Sequence, residues 1–367
     1  MSGATRVPEM SRADLPEPPE FDSSHIRRRV IVLGGVIIAI VAAITLVPGL
    51  ASLRSRFAHA QAGWLAVGCV LKVLSGLSYV AVFRAVFCTR LSWRLSTQIG
   101  LAELGANAVV PTGGLGGLAL GAWALRRAGM DTGRIARRSV AFFFLTSVPN
   151  VVGVIVLGFG MAVGVIEGPS SLALTLVPAL VATGAIVLTI AGGHWAGRAR
   201  ARATARGEPN ARLPRVLGTL SDGVGESLSL LRQHNPWLVL GLLGYLGFDV
   251  MILWSTFHAF GSAPPLAIIW MGYLIGELGG LIPIPGGFGG VDLGLVGALV
   301  LYKVPVGATT AAVLGYRAIA LWVPAVLGSV AFVLLRRSLS REAIAISSCE
   351  PGGEVNVIGR GMVRVNN

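Results

Sequence analysis

The sequence predicts an all-α polytopic membrane protein built from inverted-topology repeats with two Pro/Gly-broken re-entrant hairpins. Three observations carry that prediction. Mean hydropathy is +0.74 and only 13% of residues are charged, and several apolar runs exceed the roughly 18 residues of a transmembrane candidate. Two further apolar stretches are each interrupted by a Pro/Gly cluster. Arginines gather at alternate ends of the runs.

In chain order, residues 1–29 are rich in Pro, Glu, Asp and Ser and read as a disordered cytoplasmic tail. The membrane domain is expected over 30–335, with spans at 30–50, 62–88, 139–166, 170–193, 236–260 and 306–335. The stretches 95–128 and 265–302 are the broken ones. Their halves, Leu95–Val110 and Gly113–Leu125, then Pro265–Ile282 and Gly286–Tyr302, are short against the 17–25 residues of a full crossing. The first pair suits a re-entrant hairpin; the second suits a hairpin or two short crossings. Residues 194–235 form a basic loop and 336–367 a cytoplasmic tail.

Charge orders the spans. With the N-terminus inside, the inner flanks carry twenty arginines, and the outer flanks carry only Arg54, Arg56 and Lys303. This bias satisfies the positive-inside rule. The segment 95–128 must return to its own side, or the arginines that follow it would face outward. The net charge of +13 therefore belongs to topology and anionic lipid, not to nucleic acid. Arg126, Arg127, Arg137 and Arg138 either touch headgroups or fix orientation. The expected place is the plasma membrane, with both termini cytoplasmic.

A repeat emerges at an offset of 173 to 175 residues. Trp64 to Gly68 reappears as Trp237 to Gly241, Phe83-Arg84-Ala85 as Phe257-His258-Ala259, and Glu103-Leu104 as Glu277-Leu278. Pro111 reappears as Pro285 and Pro149 as Pro324. Each of Pro111 and Pro285 precedes a Gly-Gly-x-Gly-Gly, running Gly113 to Gly117 and Gly286 to Gly290. Repeat A spans 62–166 and repeat B spans 236–335, and the span at 170–193 inverts the second. Broken segments in matching places of inverted halves point to a transporter site near the midplane. The hairpin tips are Pro111, Gly113 and Gly114, and Pro283, Pro285, Gly286 and Gly287. Neither glycine cluster is followed by Lys-Ser/Thr, so neither is a nucleotide P-loop.

Ionisable side chains at membrane depth are functional candidates. Glu103 and Glu277 are repeat mates. They read as proton acceptors or headgroup ligands, or as acceptors for backbone groups freed by the breaks. Arg317 suits bidentate binding of a phosphate, or a structural pair with Glu277 or Asp292. Asp292 reads as a substrate group or as a favourable charge at a helix start. The repeat offset places Lys72 near the mate of Asp249, so the two are candidates to meet across the pseudo-twofold axis. Arg84 and His258, also mates, sit near span ends and read as interfacial. Cys69, Cys88 and Cys349 have no metal spacing, and neither metal nor cofactor is expected.

The stretch PGGFGGVDLGLVGALVLYKVPVGATTAAVLGYRAIALWVPAVLG, Pro285–Gly328, resembles the signature of the lysylphosphatidylglycerol synthase transmembrane region, a flippase-like membrane family. LAELGANAVVPTGGLGGLALGAWALRR, beginning at Leu101, matches the early signature more loosely. The likeness covers roughly residues 30–337. It implies an inverted-repeat helical fold with re-entrant helices, and lipid flipping in the aminoacyl-phospholipid members. Some members carry a synthase domain; with about thirty residues after the membrane region, this chain is expected to lack it and to be no enzyme. Asp292 stands where that family usually has Glu. Here no acid follows the first glycine cluster and no charge lies between Ser139 and Asn150.

The expected function is transport of a phospholipid or lipid-linked phosphate through a central polar cavity. The expected partner is therefore a membrane lipid, an anionic phospholipid or lipid-linked phosphate, with no nucleic acid; assembly as a homo-oligomer stays open. Two other readings remain at this point. One is a membrane subunit of a polyprenyl-linked glycan or lipid-modifying enzyme, the other a non-transporting scaffold.

Overall fold

The computed structural model describes residues 51–89, 91–109, 115–128, 130–169, 171–205, 223, 225–233, 235–261, 263–278 and 290–347. The expected span at 30–50, the N-terminal tail, residues 348–367 of the C-terminal tail, residues 206–222, 224 and 234 of the basic loop and all seven hairpin-tip residues (Pro111, Gly113, Gly114, Pro283, Pro285, Gly286, Gly287) lie outside the described residues.

All described regular structure is helical. The order is α1 (Ala51–Ala58), α2 (Ala62–Phe87), α3 (Trp93–Val109), α4 (Leu115–Arg127), α5 (Thr132–Ala162), α6 (Leu172–Ala205), α7 (Pro236–Phe260), α8 (Leu266–Leu278), α9 (Gly290–Leu301) and α10 (Val306–Ser347). A short helical stretch at 225–232 precedes α7. Among the described residues, α2, α5, α7 and residues Val306–Ser338 of α10 are long and apolar enough to cross a membrane. Large apolar side chains such as Phe143 and Leu240 stand 75% and 64% exposed along them, as lipid-facing residues do. This is an all-α, multi-pass membrane protein.

Local sequence sets the helix ends. Asn235 caps α7 by accepting the Trp237 backbone N–H, with Pro236 at the first helical position. The far end of α7 stops at Gly261, whose φ of +144° is open to glycine and strained for other residues. Asp131 caps α5 through the Arg134 N–H. Three helices are longer than hydropathy alone predicts. α5 starts at Thr132, α6 runs to Ala205 and α10 to Ser347, because Ala- and Arg-rich ends remain good helix formers beyond the apolar core. Residues 194–205 are thus helix, not loop.

The most extensive helix pair is α2 with α7, and glycine makes it close. A Cβ on Gly68 would lie 2.9 Å from Ser255 Oγ, and one on Gly241 would lie 2.8 Å from Val82 Cγ2. α3 lies equally close against α10, where Gly105 faces Gly328 backbone to backbone. Two large apolar cores result, with a small third around Ala259, Phe260 and Ala311. One gathers the α3–α4 pair, residues of α2 from Tyr79 to Phe87 with Cys88 beyond its end, the starts of α5 and α7, and Ala331 and Leu335 of α10. The other gathers the α8–α9 pair, the second half of α7 and the start of α10. On α7 the change from one core to the other falls between Leu242 and Leu246; on α2 it falls between Leu71 and Tyr79.

Candidate functional site

Lys72 and Asp249 sit beside that seam, Glu103 lies among first-core residues of α3, and Arg317 among second-core residues of α10. At 1.5 Å per residue, Lys72 lies about 15 Å into α2, Glu103 about 15 Å into α3, and Arg317 about 16 Å into α10. Asp249 lies a similar distance from the end of α7, and Glu277 from the start of α8. Lys72, Asp249, Glu277 and Arg317 thus stand at about one height, roughly half a hydrocarbon core from the bundle end where the Gln61 N–H meets the Ala259 carbonyl, while Glu103 is measured from the opposite end and sits beside Tyr79, two turns beyond Lys72.

Lys72 and Asp249 do meet. Nζ lies 2.7 Å from Oδ1, and the side chains are only 8% and 9% exposed. The contact spans the α2–α7 interface, and Ser75 adds a bond one turn on, donating its hydroxyl to the Tyr245 carbonyl. Lys72, Ser75 and Tyr79 share one face of α2; Tyr245 and Asp249 share one face of α7.

Arg317 pairs with Asp292, and no ion pair joins it to Glu277 among the described residues. Its Nε donates to Asp292 Oδ1 at 2.6 Å, and Nη2 lies 2.6 Å from the same oxygen. Both donors converge on one oxygen, which is not the parallel two-oxygen fork of a full bidentate pair. Nη2 is buried and makes no hydrogen bond of good geometry among the described residues. Asp292 occupies the first turn of α9, the favourable end for an anion. Both side chains remain partly open, at 30% and 25% exposure.

The two repeat-related glutamates differ. Glu103 is buried and accepts a hydrogen bond from Tyr79 Oη at 3.0 Å. α4 closes over it: a Cβ on Gly121 would overlap Glu103 Oε1. Nearby, the Gly117 N–H donates to Asn107 Oδ1 at 2.7 Å and ties α3 to α4. Glu277 is exposed, and Lys72, Asp249, Asp292 and Arg317 all lie near enough to act on it electrostatically.

Four tyrosines that the sequence reading missed complete the belt. Tyr79 and Tyr245 have ring centroids 5.4 Å apart, and Tyr316 Oη lies 3.4 Å from Tyr273 Oη. Helical spacing held the clue: Tyr79 follows Lys72 by two turns and Tyr245 precedes Asp249 by one. The belt reads, in order, Glu103, Tyr79, Tyr245, the Lys72–Asp249 pair, Glu277, the Tyr273–Tyr316 pair and the Arg317–Asp292 pair. It can hold an anionic group on Arg317 or Lys72, an amine on Glu277, or a mobile proton on a carboxylate.

The predicted headgroup arginines stand away from it. Arg126 is exposed, Arg127 lies over the Trp123 ring at 5.4 Å, and Arg137 is exposed. Arg138 pairs with Glu226 at 2.7 Å and donates to the Val86 carbonyl. A pocket between the end of α5 and the start of α6, lined by Met161, Gly164, Glu167 and Leu172 among others, takes no residue of the belt.

No match was found among curated proteins or solved structures. A family model does match, over residues 31–328, a range that contains every member of the belt, and the chain belongs to the family of the lysylphosphatidylglycerol synthase TM region.

Proposed function

We propose that this protein is a plasma-membrane lipid transporter, not an enzyme, and that it moves a phospholipid or lipid-linked phosphate past the mid-depth polar belt. One observation carries the reading: two ion pairs and the Glu277 carboxylate gather at one height within apolar helix segments, with the Tyr79–Glu103 pair two turns along α2 from them. Such groups are costly in lipid and rarely kept without a substrate or ion to serve. Arg317 is paired with Asp292, but among the described residues its buried Nη2 has no hydrogen bond of good geometry, and it would take the phosphate. Asp292 would release it or hold it in place. Glu103, Glu277 and the Lys72–Asp249 pair would tune the charge of the cavity, and the acyl tails would stay in lipid.

Inverted repeats with re-entrant hairpins are the architecture that fits this role. Several features support it. α8 and α9 are 13 and 12 residues long, about 20 and 18 Å, short of the hydrocarbon thickness. Gly68 and Gly241, repeat mates, make the same close approach at opposite ends of the α2–α7 pair. Each half-helix pair packs against the last helix of the other half: α3 on α10, and α8 on α5. The ends of α2 and α7 also match. Arg84 stands over Trp93, which meets Trp237, while His258 stacks on Trp254 and Trp64.

The test is reconstitution into vesicles with a fluorescent phosphatidylglycerol and a membrane-impermeant quencher. Wild-type protein is expected to speed the exchange between leaflets over protein-free vesicles. Arg317→Ala is expected to slow it by about tenfold or more, the worth of one charge-assisted hydrogen bond. If Arg317→Ala and Glu277→Gln both match wild type, the belt is not the lipid path.

A further inference from the structure

Among the described residues, Glu277 stands out as the belt acid that no partner holds. Asp249 is neutralised by Lys72 and Asp292 by Arg317, each at 2.7 Å or less. Glu103 is capped by Tyr79 and covered by α4. Among the described residues no hydrogen bond or ion pair reaches the Glu277 carboxylate, and its side chain is open. The groups that face it are Lys72 from α2, Tyr245 and Asp249 from α7, Tyr273 from its own helix, Asp292 from α9, and Tyr316 and Arg317 from α10. α5 also packs on α8 but carries no charged side chain from Ser139 to Ala162. Both cations near Glu277 are therefore already engaged.

The charge count around Glu277 has a consequence. Lys72 and Arg317 supply two positive charges; Asp249, Asp292 and Glu277 supply three negative ones. The open cluster is negative by one. A lipid phosphate arriving at Arg317 would make it negative by two at a depth where charge is poorly solvated. A proton arriving on Glu277 at the same time restores the original value. Loaded and empty clusters then carry equal charge, and phosphate and proton favour each other's binding by linkage.

We propose that Glu277 is a proton-binding site and that the protein carries a proton together with the anionic lipid. This rests on the lipid-transport reading above. The proton enters from water on one side, resides on a Glu277 carboxylate oxygen while the phosphate is bound, and leaves to water on the other side. Glu103 stays in its Tyr79 bond and takes no part in the exchange.

Two measurements test it. In vesicles of phosphatidylethanolamine and phosphatidylglycerol with the voltage clamped, a one-unit pH gradient should drive a fluorescent phosphatidylglycerol probe towards the alkaline leaflet. One proton per lipid allows an asymmetry of up to about tenfold, equal to about 1.4 kcal/mol. A sodium gradient should drive none. Independently of any lipid probe, infrared difference spectra of the purified full chain between about pH 5 and 8 should show a titrating carboxyl band that Glu277→Gln lacks. Lipid exchange that ignores the pH gradient, or follows sodium, overturns the coupling and leaves the transport reading standing. Absence of lipid exchange in any buffer overturns both. A Glu277→Gln protein that keeps the full carboxyl band and the wild-type gradient response removes Glu277 from the role.

Discussion

At the residue scale, the Lys72–Asp249 pair is the contact whose energetics are easiest to separate. Both side chains are more than nine-tenths buried, so deleting one leaves a bare charge in a poorly solvating interior. Lys72→Met or Asp249→Leu alone is expected to destabilise the protein by about 3–5 kcal/mol. The double variant carries no bare charge and is expected to recover most of that loss. Thermal unfolding of the four proteins in detergent gives the coupling directly; a double variant as unstable as the sum of the singles rejects the pair. Gly121→Ala tests the glutamate seal in the same assay. Its methyl group would occupy the place of Glu103 Oε1 and push the carboxyl off Tyr79. A buried acceptor that loses its bond costs about 1–3 kcal/mol. Tyr79→Phe removes the same bond without a clash and should give the smaller part of that loss.

At the element scale, the α3–α10 contact has no slack. A Cβ on Gly328 would come within 2.5 Å of Gly105 Cα and 2.6 Å of the Leu101 carbonyl oxygen, and neither backbone atom can swing aside. Gly328→Val should therefore force the helices apart and cost about 1–3 kcal/mol, read as a lower melting midpoint in detergent. Gly297→Val is the control, since its Cβ would meet nothing within 4 Å. Much of this scale was legible in the sequence. The expected span 236–260 is α7 to the residue, and 62–88 is α2 to within one, because their apolar runs end abruptly at Asn235, Gln61 and Cys88. α5, α6 and α10 ran past their expected ends because hydropathy measures lipid preference, and helix hydrogen bonds continue where Ala and Arg favour them. The Lys72–Asp249 meeting was readable from the repeat offset. The Tyr79–Glu103 bond was not, since nothing in one dimension tells how α3 lies against α2.

At the scale of the whole molecule, orientation decides what every other statement means. In the proposed orientation twenty arginines flank the inner face and Arg54, Arg56 and Lys303 the outer, which assigns a direction to each helix. Arg56 has its own structural task, donating to the Phe260 carbonyl at 3.0 Å where α7 ends. The α5–α6 turn and the 225–232 stretch should then lie on opposite faces of the membrane, because α6 runs between them. Ser171 and Ser229 are exposed at these two places and suit single-cysteine reporters in a background whose native cysteines are replaced. Ser171→Cys should react with an impermeant maleimide in intact cells. Ser229→Cys should react only after the membrane is permeabilised. The reverse pattern would invert the assignment of inside and outside and leave the belt untouched. Labelling of both from one side would mean that α6 does not cross. The two halves would then share one orientation, and Gly68 and Gly241 would no longer be related by an axis in the membrane plane. Alternating access around a fixed mid-depth belt needs that axis, so the pair of cysteines tests the mechanism as well as the topology.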